Sequence, residues 1–457
     1  MCARIVVPED IEKAAEFDRA LAWIREHVDL PQADEFWPVR HNAVYTTAVV
    51  LWMLIIQRAS PDASLEAAVK ALLEAPPEFL PRNKRIATNT LSTSSGGYST
   101  ARSRLPLSAV EWFAQEVARS LIAAAPAAHG HRRVFLIDGT TLTLAPEPEL
   151  RRQFPPASNQ HGRGVWPIAL LTVCHELSSG ACLIPQIGAM YGPEAVSETA
   201  LIEKNLDELP ADSIVMADAG FGIFAVAWKA FARGHSFLLR MAPNRFHSLT
   251  KQATIVEQSA THTVREHVWT PSSRERKTHP DLPRDAAIRV RLHELLISDQ
   301  LTLRLVTTLI DDSETLAALY EQRTHVETDL RNLKIVLDTE HIRARSVDTF
   351  QKELLASLVF YNLVTQFRAQ AARLIHKSPR QMSFKRTWTT FRTFLLKPMF
   401  AAPQLCREQF ARALSYATLD KLPHRPGRRS PREVYKRRPK SQHFKKRSPK
   451  PDNPPDS

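Results

Sequence analysis

Apolar residues recur at spacings of three and four through "DIEKAAEFDRALAWIREHV", "YTTAVVLWMLIIQRA", "SLEAAVKALLE" and "LSAVEWFAQEVARSLIAAA", which predicts a helical unit over residues 1–128. A polar loop, "NTLSTSSGGYSTARSRLP", interrupts it and carries Tyr98, Arg102 and Arg104. The pattern changes at residue 133. "RVFLIDGTTLTLA" is a buried strand whose apolar run ends on Asp138, and "WPIALLTVCHELSSGACLIPQIGAM" reads as two strands joined by a Ser-Ser-Gly turn. A helix in "SETALIEKNLDELP" leads to a second apolar strand, "SIVMADAGFG", which ends on Asp218; a helix and a further strand, "SFLLRMA", follow. Strands interleaved with helices argue for a sheet with helices packed on it. Residues 244–315 turn to strand-length runs separated by the charged loop "PSSRERKTHPDLPRD", and helices return from 316.

Of the 457 residues 44% are hydrophobic, enough for a large core and two or three folding units. The longest apolar stretch, Thr46 to Ile56, is shorter than the roughly 20 residues that span a bilayer, so a cytosolic chain with no membrane partner is expected. Cys2, Cys174, Cys182 and Cys406 make no Cys-x-x-Cys pairs of the kind that hold zinc. Cys174 and Cys182 could face each other across the hairpin, but small buried thiols are expected in a reducing compartment. The formal charge of +13 is concentrated: residues 421–457 carry thirteen Lys or Arg against three acids. That Pro- and Ser-rich tail is expected to be disordered and to attract polyanions.

Two acids at the ends of apolar runs and a third, Glu327, within "LYEQRTHVETDLRNLK" suit hard cations such as magnesium, and two such ions can drive phosphoryl transfer. Singly, each Asp could equally cap a turn. At about 100° per residue, Tyr320, Arg323, Glu327 and Lys334 share an arc of roughly 60° on one straight helix, beside a stripe of Leu319, Val326, Leu330, Leu333 and Leu337. Arg and Lys beside a carboxylate suit a DNA backbone passing a metal. An exposed face with an Arg323/Glu327 ion pair explains the pair but not the row.

Tyr320-x2-Arg323-x3-Glu327-x6-Lys334 resembles the Tyr-Arg-Glu-Lys signature of bacterial insertion-sequence DDE transposases, a cut-and-paste branch related to ribonuclease H and retroviral integrase. "FLIDGTTLTL" and "VMADAGFG" look like that family's two Asp motifs, and the resemblance spans about residues 38–370. Many relatives have Trp after the signature Arg, where this chain has Thr324. The resemblance implies an α+β or α/β, ribonuclease H-like mixed sheet with flanking helices. Combined with the changes of texture along the chain, it divides the chain into a helical DNA-binding domain (1–128), a catalytic core (129–243), a β-rich insertion (244–315), the rest of the core with C-terminal helices (316–420) and the basic tail (421–457). It implies Asp138, Asp218 and Glu327 as catalytic residues holding two Mg2+ (or Mn2+) ions. Tyr320, Arg323 and Lys334 would grip DNA, Arg102 and Arg104 would contact it, and Trp269 would stack on a flipped base. The partners implied are terminal inverted repeats and target DNA, met by a homodimer on paired ends in the bacterial cytoplasm. A nuclease that no longer transposes and a DNA-binding protein without activity remain the alternatives, the latter explaining binding but not three placed acids.

Overall fold

A computed structural model describes residues 22–23 and 30–422, apart from 41, 75, 78, 160–161, 300, 339–341, 343 and 397–402. The basic tail expected from residue 421 thus lies outside the described residues beyond 422. Four longer helices come first: α1 (Thr47–Ala59), α2 (Leu65–Glu74), α3 (Gly96–Arg104) and α4 (Leu107–Ala124). Then follow β1 (Val134–Thr143), β2 (Ile168–Glu176), β3 (Gln186–Ala189), α5 (Glu198–Asp207), β4 (Ile214–Ala217), α6 (Phe224–Phe231), β5 (Ser236–Arg240) and α7 (Pro243–Thr250). Strands β6 (Thr254–Gln258), β7 (His262–Trp269), β8 (Ile288–Ser298) and β9 (Leu301–Thr307) precede α8 (Ser313–Glu321), α9 (His325–Leu337), α10 (Val347–Leu374), α11 (Phe384–Leu395) and α12 (Pro403–Ala417).

These nine strands join one sheet in the order β3-β2-β1-β4-β5-β9-β8-β7-β6, and a separate short ribbon pairs Ser158–Asn159 with Gly162–Arg163. The central three, β1, β4 and β5, run parallel, while β2 is antiparallel to β1. Parallel strands need cover on both faces, and "VFLI" in β1 alternates accordingly. Phe135 and Ile137 pack with α5 and α6, whereas Val134 and Leu136 pack with Leu316 and Leu319 of α8. This mixed sheet with flanking helices is compatible with the ribonuclease H-like arrangement. The residues read as a β-rich insertion supply strands β6 to β9, which lengthen the same sheet because β9 pairs antiparallel with β5.

The described residues up to Lys421 belong to one compact unit. Helix α1, buried along its whole length, shares a core with α4, α10 and α11. Two buried charges tie α3 to α10. Arg102 pairs with Glu353 at 2.7 Å, and the Lys352 ammonium donates to the carbonyls of Arg102 and Ser103 at the C-terminal end of α3. No described helix is long and apolar enough to cross a membrane. Cys174 and Cys182 are free thiols and, like Cys406, buried, and burial pushes those two thiols above their usual range.

Candidate active site

Ile137 of β1 is directly paired with Ala217, the last residue of β4, so Asp138 in β1 and Asp218 just past β4 stand side by side, both within reach of one guanidinium. Both are held at one oxygen by backbone. The N–H of Gly139 donates to Asp138 Oδ1 and the N–H of Gly220 to Asp218 Oδ1, each at 2.9 Å. The loop after Asp218 is itself pinned. A Cβ at Gly222 would lie 2.2 Å from the Arg240 carbonyl oxygen, and Arg245 of α7 donates to the Ala219 and Gly222 carbonyls.

The third acid comes from a different element. The chain does not form the single straight helix that the spacing suggested: α8 ends at Glu321, a 3-10 turn spans Gln322–Thr324, and α9 begins at His325. Glu327 lies in the first turn of α9, where a carboxylate is favoured by the helix dipole. Asp329, fully buried two residues on, pairs with Arg380, which also donates to the Leu177 carbonyl. That contact ties α9 to the end of β2.

Arg323, in the 3-10 turn, reaches all three acids. Its Nη2 is 3.2 Å from Asp138 Oδ2 and 3.7 Å from Asp218 Oδ2, and its Nη1 is 3.6 Å from Glu327 Oε1. The guanidinium side chain is 14% exposed, and Asp138 is 21% exposed against 49% for Glu327. Burial raises the Asp138 pKa, opposed by Arg323 and the Gly139 N–H and reinforced by Asp218 and Glu327. Carboxylate oxygens around a central cation are the right donor chemistry for a hard divalent ion. Among the described residues, however, no three acidic, histidine or cysteine side chains are close enough to ligate one ion together; the acids are spread around the guanidinium.

The remaining expected residues separate into distinct settings. Lys334 is exposed and, with Thr140, Glu327 and Arg331, lines a cleft of about 460 Å3 beside β1. Tyr320 is not on the surface: it is 8% exposed, its hydroxyl donates to the Ala217 carbonyl at 3.4 Å, and burial lifts its pKa to about 12. It supports the strand that presents Asp218. Trp269 is also buried, 3% exposed and edge-on to Phe224 in the core beneath α6, so it is not available to stack on a base. Arg102 is committed to Glu353, which leaves Arg104 as the exposed one of that pair. Thr324 is exposed, its hydroxyl bonded to the Glu321 carbonyl.

Three features were missed by reading the sequence. Arg331, exposed in the cleft, follows Glu327 by one helical turn, a spacing that would have revealed it. Glu198, at the start of α5, lies against Gly139: a Cβ there would be 2.1 Å from its carboxyl. Strand alternation puts Glu198 on the opposite face of β1 from Asp138. Its pKa is raised by burial and then by Asp138 and Asp218. The third is a concave surface of about 1610 Å3 on the N-terminal helical segment, lined by Trp37, Arg40, Arg82, Lys84, Arg85 and Arg104 among others, with no acid in its wall.

Residues 129–363 match the family described as the transposase DDE domain. None of the curated proteins compared with the chain matches it. The matched span is more than half of the chain, running from just before β1 into α10 and taking in every acid around Arg323. The chain therefore belongs to the transposase DDE-domain family.

Proposed function

We propose that this transposase acts for a bacterial insertion sequence of the Tyr-Arg-Glu-Lys branch, cutting DNA at transposon ends and joining the freed 3′ hydroxyl to target DNA. The observation that carries the reading is the convergence of Asp138, Asp218 and Glu327, from two neighbouring strands and a helix start, on one guanidinium. These three acids would hold two Mg2+ or Mn2+ ions, which when bound supply a polarised phosphate and an activated attacking oxygen.

The protein's own residues then have separate tasks. Gly139 and Gly220 fix one oxygen of each Asp, leaving the other turned toward the centre. Lys334 and Arg331 in the cleft suit a phosphate beside Glu327, Lys334 as a point charge and Arg331 as a fork. Tyr320 steadies the end of β4 rather than gripping DNA. The N-terminal surface, whose charged residues are all basic and include Arg104, suits the backbone of the terminal repeat, and the tail adds non-specific attraction. A ribonuclease H-like core, a helical DNA-binding head and a homodimer on paired ends complete the reading.

Incubating the purified chain with Mg2+ and a donor duplex bearing the element's ends tests it. End cleavage followed by joined product is expected. Nicks without joining would indicate a metal nuclease, and tight binding without any broken strand would indicate a DNA-binding protein.

A further inference from the structure

Arg323 occupies the space toward which all three acids turn. Its Nη2 faces the Oδ2 atoms of Asp138 and Asp218, the oxygens not bound to backbone N–H groups, and its Nη1 faces Glu327. One positive charge against three carboxylates leaves the cluster with a net negative charge that still attracts cations. The arrangement is a poor one for the arginine itself: its Nε is buried without a hydrogen-bond partner. A phosphate would do better, because the planar fork can donate from two nitrogens at once.

Ligation of Mg2+ needs oxygens at roughly 2.0–2.1 Å from the ion. Here the carboxylate oxygens stand 3.2 to 3.7 Å from guanidinium nitrogens, spread around a group larger than the ion. A guanidinium and a divalent ion at this centre would repel each other and claim the same oxygens. Loading the ion therefore requires Arg323 to leave. The cleft immediately beside Glu327 gives it a destination, since Thr140, Arg331 and Lys334 line a place for a DNA phosphate.

We propose that Arg323 is a built-in counter-ion that competes with divalent metal for the three acids, and that DNA phosphate in the Glu327 cleft draws it out, coupling metal loading to DNA engagement. The proposal rests on the reading of Asp138, Asp218 and Glu327 as the metal-holding set. By linkage, DNA tightens metal binding and metal tightens DNA binding by the same factor. The protein without DNA is thereby kept from assembling a loaded cutting centre.

The test is Mn2+ binding to the full chain, followed by the electron paramagnetic resonance signal of free Mn2+, with and without saturating duplex DNA. Without DNA, Arg323→Met should bind Mn2+ roughly tenfold more tightly than the unaltered chain, within the usual span for coupled sites. Adding DNA should tighten the unaltered chain by a similar factor and the variant little. If Arg323→Met does not fold by circular dichroism, Arg323→Lys replaces it; its shorter point charge cannot span three acids, so a smaller tightening is expected. Unchanged or weaker Mn2+ affinity in the folded variant would overturn the coupling. Asp138→Asn separates the two levels. If it abolishes Mn2+ binding while Arg323→Met fails to tighten it, only the coupling falls. If Mn2+ binding ignores Asp138→Asn, the metal reading falls and takes the coupling with it.

Discussion

At the scale of single residues, Asp138 and Asp218 were legible because each ends an apolar run, and the pairing of Ile137 with Ala217 turns that pattern into proximity. Glu198 was not legible, since an acid after Ser197 at a helix start has an ordinary capping explanation. Only the absence of a side chain at Gly139 lets its carboxyl approach the site from behind. Burial and the charges of Asp138 and Asp218 raise its pKa above the ordinary 4.5, so ionisation at neutral pH opposes folding. The folded state then holds the proton more strongly than the unfolded chain, and this contribution favours folding below pH 4.5 and is lost as pH rises through the elevated value. Glu198→Gln should therefore raise the melting temperature at pH 7, with the gain disappearing below pH 4.5. A variant that melts lower at pH 7, or a gain independent of pH, would contradict this account of the carboxyl.

At the scale of elements, the helices and central strands followed from periodicity, but helical arithmetic failed at one turn. Three residues of 3-10 helix advance about 120° each instead of 100°, which rotates Tyr320 by roughly 60° relative to Glu327. Tyr320 is buried with its hydroxyl on the Ala217 carbonyl, and it still faces Arg323, Asp218 and Asp138. The strands of 244–315 were legible as strands, yet nothing in their alternation signals that β9 would pair with β5, because partner choice depends on the rest of the sheet. That continuity is why Trp269 is core. Trp269→Ala should destabilise the fold by about 3–5 kcal/mol, as large-to-small core changes do, measured by denaturant unfolding. A variant with unchanged stability and a selective defect in one DNA step would restore the base-stacking role.

At the scale of the whole molecule, texture did not show that the N-terminal helices and the C-terminal helices share one core: α1 and α4 pack with α10, and Arg102 is spent on Glu353 in holding α3 there. Charge was the better guide. The basic balance outside the tail is small, but it gathers on the N-terminal surface that contains Arg85 and Arg104 and no acid. If duplex DNA lies there, Arg85→Ala or Arg104→Ala should each reduce the slope of log affinity against log salt by about one; unchanged slopes would move the DNA elsewhere. The central claim concerns Asp138, Asp218 and Glu327. Cleavage of end-bearing donor DNA in Mg2+ by Asp138→Asn, Asp218→Asn and Glu327→Gln, with DNA binding measured on the same samples, tests it most directly. Each variant should bind DNA yet lose on the order of a thousandfold in cleavage rate, about 4 kcal/mol of barrier; cleavage within a few fold of the unaltered chain by any folded variant would contradict it.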